Sequence, residues 1–223
     1  AARQQGEALA QAEAGNAAGQ IQARLGRAMT VARGLAYALE GMDKAGEHSR
    51  GGVNALLRHG LESQPELLGL YTGWEPDAFD GDDKRFVGKE GHDDSGRFIP
   101  YWHRGSGQPA LEPLVDYTKE GAGDYYLLPK RTGKAQLVDP YFYALGGKQV
   151  LITSLVQPVM RAGRFVGIAG VDIALDALQK ELGAIRPLGV GHVALYAGSG
   201  LVVSHPESRS EEHTSELQSH HDL

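Results

Sequence analysis

Residues 139–179 read DPYFYALGGKQVLITSLVQPVMRAGRFVGIAGVDIALDALQ. Runs rich in β-branched and aromatic residues flank Gly146-Gly147, and a further break at Arg161-Ala162-Gly163 feeds the run Arg164–Asp172. A glycine pair supplies the backbone freedom that a tight hairpin demands. The stretch therefore reads as a hairpin, Gln136–Leu145 with Lys148–Val159, followed by a third strand. From Ala174 to about Ala184 the pattern becomes helical. Asp172 closes the third strand behind Val166, Ile168 and Val171, a carboxylate in a segment apolar enough to be buried. Such a group needs a partner, either as the N-cap of the helix that follows or as a charged ligand contact.

Upstream, residues 1 to about 39 are helical, with Ile21, Leu25, Met29, Ala32, Leu35 and Leu39 at steps of three and four. A second helix is predicted from about Gly52 to Glu62, with Pro65 at its exit. Leu67–Thr72 is a compact apolar strand, and Gly96–His103 is another, which Pro100 places at an edge or bulge. The long Asp- and Gly-rich loop between them marks a functional or mobile segment. Asp124 is expected to cap a short helix over 124–132. Downstream, Gly191–Ser204 reads as a hairpin turning at Gly198-Ser199-Gly200.

Helices followed by an antiparallel sheet make the fold class α+β. The expected divisions are a helical part over 1–62, a sheet lobe over 63–185, the start of a truncated second lobe over 186–208 and a tail over 209–223. Within that tail Arg209–Ser219, RSEEHTSELQS, resembles a translated sequencing adapter and is expected to be an artefact without a fold of its own.

Composition narrows the function. A net charge of −6 without clustered Lys or Arg argues against nucleic acid. The absence of cysteine excludes disulfide scaffolds, thiol catalysis and Cys-ligated zinc. No run of 18 apolar residues spans a bilayer. The histidines lack metal-binding spacing, and Asp77, Asp80, Asp82 and Asp83 in DAFDGDD lack the order of a calcium loop, so they read as a solvated turn. Ser154, His103 and Asp116 are the residue types of a hydrolase, but no G-x-S-x-G elbow surrounds any serine. No enzyme activity, cofactor or metal is expected.

Seven of the nine tyrosines and both tryptophans lie between Tyr71 and Tyr143, a density that suggests an aromatic cage as well as a core. A cation over aromatic faces gains roughly 0.5–2 kcal/mol per contact, and Asp172 would supply its counter-charge.

The stretch quoted above resembles the signature of double Cache domains, the PAS-like periplasmic sensors of methyl-accepting chemoreceptors and of some histidine kinases and diguanylate cyclases. The resemblance implies a membrane-distal ligand-binding lobe after a long first helix, and a proximal lobe only begun here. It also implies a homodimer pairing through that helix, and an inner-membrane location with the sensor in the periplasm. Membrane contact would come from flanking helices outside this stretch.

In the amino-acid-sensing branch the paired aromatics correspond to Tyr125 and Tyr126, the strand tyrosine to Tyr141 and the amine-binding aspartate to Asp172. The carboxylate-clamping arginine falls on Gly123, and a second acid falls on Tyr143. Keeping the ammonium contact while losing the clamp favours amines: polyamines, histamine or choline-like compounds. GRFIPYWHRG resembles the amine-sensing branch and would add Tyr101, Trp102 and His103 to the pocket. An amino-acid or organic-acid sensor is the alternative, with Arg97 or Arg104 restoring a clamp from another side.

Overall fold

A computed structural model describes residues 2–187, 191–198 and 202–204. The tail expectation, the turn at Ser199-Gly200 and much of the 186–208 segment lie outside these residues. The described residues fall into two compact units. One comprises Arg24–Ala174; the other comprises the described residues of 1–23 and 175–204.

Helix α1 (Ala2–Ala45) runs one and a half turns past the last apolar step at Leu39. Its end is set by backbone rather than by periodicity. Gly46 takes φ 75°, its N–H bonds to Asp43 O and that of Glu47 bonds to Met42 O, the glycine-dependent helix stop. Helix α2 (Arg50–Glu62) starts at Ser49, whose hydroxyl accepts from Gly52 N, and buries Val53, Leu57 and Leu61.

The sheet comprises β1 (Gly69–Trp74), β2 (Pro100–His103), β3 (Ala110–Pro113), β4 (Gln136–Leu137), β5 (Tyr141–Leu145), β6 (Lys148–Arg161) and β7 (Arg164–Ala174). Its order is β3-β2-β1-β7-β6-β4, with β5 also on β6 and the strand pairs antiparallel. The strand expected over Gly96–His103 is confined to β2. It is not the edge, because β3 lies outside it; Pro100 is tolerated as the first residue of the strand, opposite Pro113. The single arm expected over Gln136–Leu145 is two strands, β4 and β5, interrupted around Pro140.

Helix α3 (Asp124–Thr132) begins one residue earlier than an Asp124 cap would require. Gly123 is its N-cap, and the Asp124 carboxylate accepts from Gly121 N instead.

In the other unit, helix α4 (Leu175–Ala184) follows β7, and β8 (Leu195–Tyr196) pairs with β9 (Val202–Ser204). Gln179 donates to Val203 O at 2.5 Å.

Candidate functional site

Strand side chains alternate between faces, and partners across antiparallel pairs share a face. The register puts Tyr71 opposite Tyr101 and Gly170, Gly69 opposite His103 and Asp172, and Ser154 opposite Asp172. Tyr141 faces Ile152 and Tyr143 faces Val150. One face of the sheet therefore carries Tyr71, Tyr101, His103, Tyr141, Tyr143, Ser154 and Asp172. Tyr125 of α3 completes the group, with its ring 5.9 Å from Tyr71, 5.8 Å from Tyr143 and stacked at 6.4 Å on Tyr141. Tyr101 meets Tyr71 at 5.4 Å and Tyr143 at 5.6 Å, both edge to face.

Glycine makes room for these rings. A Cβ on Gly170 would stand 2.3 Å from Tyr71 Cζ, and one on Gly69 would stand 2.3 Å from Tyr101 Cε2.

Asp172 lies at the centre, 2% exposed. Its Oδ2 accepts from the Tyr101 hydroxyl at 2.6 Å and its Oδ1 from Ser154 Oγ at 2.5 Å. Ser154 in turn shares a 2.7 Å hydrogen bond with Tyr141. The buried Tyr71 hydroxyl comes close to Asp172 and Ser154 without completing a well-formed hydrogen bond to either.

Burial pushes the Asp172 carboxyl up to about 6, against the pull of the Ser154, Tyr101 and Tyr71 hydroxyls. Burial, then the Asp172 charge, raises the phenols of Tyr71, Tyr101 and Tyr141 well above their ordinary range, so they stay neutral. Among the described residues no lysine, arginine or histidine forms an ion pair with Asp172. The group is an anionic centre walled by π faces and hydroxyls.

The backbone of a single residue ties two of these rings together. The Val115 N–H donates to the Tyr143 hydroxyl at 2.9 Å, and the Tyr125 hydroxyl donates to Val115 O at 2.6 Å.

Of the residues singled out in the sequence, Tyr101, Tyr125, Tyr141 and Tyr143 converge with Asp172; Trp102 and Tyr126 do not. Trp102 follows Tyr101 on β2 and so projects from the opposite face, where its Nε1 donates to Asn54 of α2 at 2.9 Å. Tyr126 turns away from Tyr125 around α3. It accepts from Arg97 at 2.7 Å and donates to Glu75, which also holds Lys130. Asp172 does not cap α4, because β7 runs on through Ala174 and the helix begins at Leu175.

In the sequence Tyr71 counts among the clustered aromatics without standing out as a pocket residue, and Ser154 stands out only as a nucleophile type. Ser154 bonds to Asp172 and Tyr141, whereas His103 Nδ1 accepts from Gly105 N.

The arginines considered for a carboxylate clamp are engaged elsewhere. Arg97 donates to Trp74 O at 2.6 Å and lies over the Tyr117 ring. Arg104 donates to the carbonyls of Leu61 and Leu67. Position 123 is closed to any side chain, since a Cβ there would stand 2.3 Å from Asp116 O and 2.6 Å from Lys119 O.

The Asp-rich loop is also more than a solvated turn. Arg50 binds both oxygens of Asp80 at 2.7 Å and Asp83 at 2.6 Å, with its guanidinium 3.9 Å from the Phe86 ring centre. A buried guanidinium stands where a calcium reading would put the metal.

The family model for the methyl-accepting chemotaxis protein-like, first PDC sensor domain matches residues 53–180, more than half of the chain. The chain belongs to this family. Among curated relatives, the PDC sensor domain is 37% identical over 161 residues to methyl-accepting chemotaxis protein TlpQ of Pseudomonas aeruginosa, a match covering 65% of this chain and 22% of that protein. It is 30% identical over 101 residues to methyl-accepting chemotaxis protein PscA of Pseudomonas syringae pv. tomato, covering 45% of this chain and 16% of that one. The matched stretch thus spans about a fifth of these relatives' length.

Among solved structures, the extracellular domain of the putative histidine kinase mmHK1S-Z2 superposes with a TM-score of 0.79 at 37% identity, over 88% of this chain and 71% of that chain. Methyl-accepting Chemotaxis protein X gives 0.79 at 30% identity, over 94% and 80%. The ligand binding domain of Mlp24 with asparagine, at 19% identity over 96% of this chain and 79% of that chain, shares the fold with a TM-score of 0.59. PDC sensor domains of this kind are the ligand-binding, non-enzymatic sensors of chemoreceptors and histidine kinases.

Proposed function

We propose that this sensor domain binds a small cationic amine, a polyamine, histamine or a choline-like compound, and passes that binding to a chemotaxis output. The observation that carries the reading is Asp172: a buried carboxylate with hydroxyl donors but no cationic partner among the described residues. A lone charge in a dry site is costly, and a ligand ammonium offsets that cost while gaining the faces of Tyr71, Tyr101, Tyr125, Tyr141 and Tyr143. The shut position 123 and the committed arginines support an amine over a carboxylate-bearing ligand.

In this reading the sheet lobe over 63–185 is the membrane-distal one, lying in the periplasm and anchored in the inner membrane by flanking helices. Two copies pair through α1, which leaves Leu9 and Tyr37 exposed. Ligand moves the receptor between states only through its different affinity for each.

Calorimetry with putrescine, histamine and choline tests the assignment. At least one is expected to bind, with binding abolished in Asp172→Ala. Tight binding of an organic acid that lacks an amine, indifferent to Asp172→Ala, would overturn it.

A further inference from the structure

On the face that carries Asp172, Tyr101 pairs with Glu112 of β3, so the Glu112 side chain shares that face at the outer edge of the sheet. Its carboxylate lies 3.2 Å from His103 Nε2 and receives a long 3.5 Å contact from Gly146 N; among the described residues it pairs with no lysine or arginine. His103 is 1% exposed. Its Nδ1 accepts from Gly105 N, which leaves the proton of the neutral ring on Nε2. That nitrogen is buried and completes no well-aligned hydrogen bond. Burial lowers the His103 pKa, against the Glu112 charge, so the ring stays neutral and does not neutralise its neighbour.

The face thus holds two carboxylates, one deep on β7 and one at the β3 rim. The Tyr101 phenol stands between them, touching the His103 ring at 5.2 Å on one side and bonding to Asp172 on the other.

We propose that the His103–Glu112 pair is a second recognition point of this site, selecting ligands that carry a second cationic nitrogen over those with a single ammonium. The inference rests on the amine reading of Asp172. Strands lie roughly 4.8 Å apart and β3 stands three places from β7, so side chains leaning inward leave the carboxylates on the order of 12 Å apart. Charge-assisted hydrogen bonds of about 2.8 Å at each end leave on the order of 6 Å, the length of a diamine of roughly four or five carbons. Its methylenes would run along the Tyr101 ring.

Putrescine and n-butylamine share a carbon chain and differ in the second nitrogen, so calorimetry with both on the sensor chain separates the two points. Putrescine is expected to bind about tenfold more tightly than butylamine, the worth of one hydrogen bond to a charged group. Glu112→Gln should erase that margin by weakening putrescine alone, and Asp172→Asn should weaken both ligands. Because Glu112 lies at the rim, an unchanged melting temperature for Glu112→Gln checks its fold. Equal wild-type affinities, or a Glu112→Gln loss that falls equally on both amines, overturns the second recognition point while the Asp172 reading stands. Binding of neither amine overturns the second recognition point, and the Asp172 reading falls with it only if histamine and choline also fail to bind.

Discussion

Tyr101 reaches from β2 across β1 to donate a hydrogen bond to Asp172 on β7, at 2.6 Å. The crossing is possible because the intervening residue is Gly69, where a Cβ would collide with the Tyr101 ring. Two strands that are not hydrogen-bonded to each other, β2 and β7, are thereby tied through one carboxylate.

That carboxylate makes stability depend on pH. The folded pKa of about 6 stands above the ordinary 3.8, so the folded state holds the Asp172 proton more tightly than the unfolded chain. Its stabilising contribution is complete below about pH 4 and is lost as pH rises through about 6. The gap, 6 − 3.8, is about 2 units, or about 3 kcal/mol. Urea unfolding at pH 4 and pH 7 should show wild type losing stability relative to Asp172→Asn by an amount of that order. Parallel pH profiles for the two proteins would contradict the assignment. Amine affinity should run the other way, weakening as pH falls below about 6, because only the ionised carboxylate attracts an ammonium.

Gly170→Ala is expected to destabilise the sheet lobe by about 1–3 kcal/mol, the usual cost of overpacking. The added methyl would press on Tyr71 Cζ and hydroxyl at 2.3 and 2.5 Å. Chemical denaturation measures the loss, and wild-type stability would show that the ring moves aside freely.

Arg50→Ala should cost roughly 3–5 kcal/mol, because Asp80 and the buried Asp83 lose their counter-charge. Limited proteolysis should then cut within residues 75–99, a segment that Arg50 otherwise holds to α2 through Asp80, Asp83 and Gly96 O. Cleavage no faster than in wild type would show that the loop has other anchors.

Trp102→Phe removes the hydrogen bond to Asn54 on the face away from Asp172. It should lower stability by about 1 kcal/mol and leave amine affinity within twofold, a margin of roughly 0.4 kcal/mol. Tyr125→Ala, which strips a ring from three tyrosine contacts, should weaken the same ligand at least tenfold. Isothermal titration of both variants against one amine separates the faces, and equal losses would place Trp102 in the site.

Much of the architecture was legible in local signals. The Gly146-Gly147 turn, the break at Arg161–Gly163 and the apolar steps of α1 sit where the chain turns, reverses and coils. What escaped was decided by partners distant in sequence. β3 is four residues ending in proline, a strand only because β2 pairs with it. Tyr101 and Trp102 looked equivalent as a pair of aromatics, yet strand alternation sends one to Asp172 and the other to α2. Tyr125 and Tyr126 separate for the same reason, by about 100° around a helix. Tyr71 was visible only as one member of the aromatic cluster, because its place beside Asp172 is written in Gly170, one strand away.

The Val115 splint between Tyr125 and Tyr143 is built from main chain alone. Drift at that position can exchange the half-open valine side chain for nearly anything without loosening α3 from β5. Proline is the exception, because it forfeits the N–H that Tyr143 receives. The join between α3 and β5 is therefore insulated from most single-residue change at Val115, while the rings it steadies remain free to be retuned.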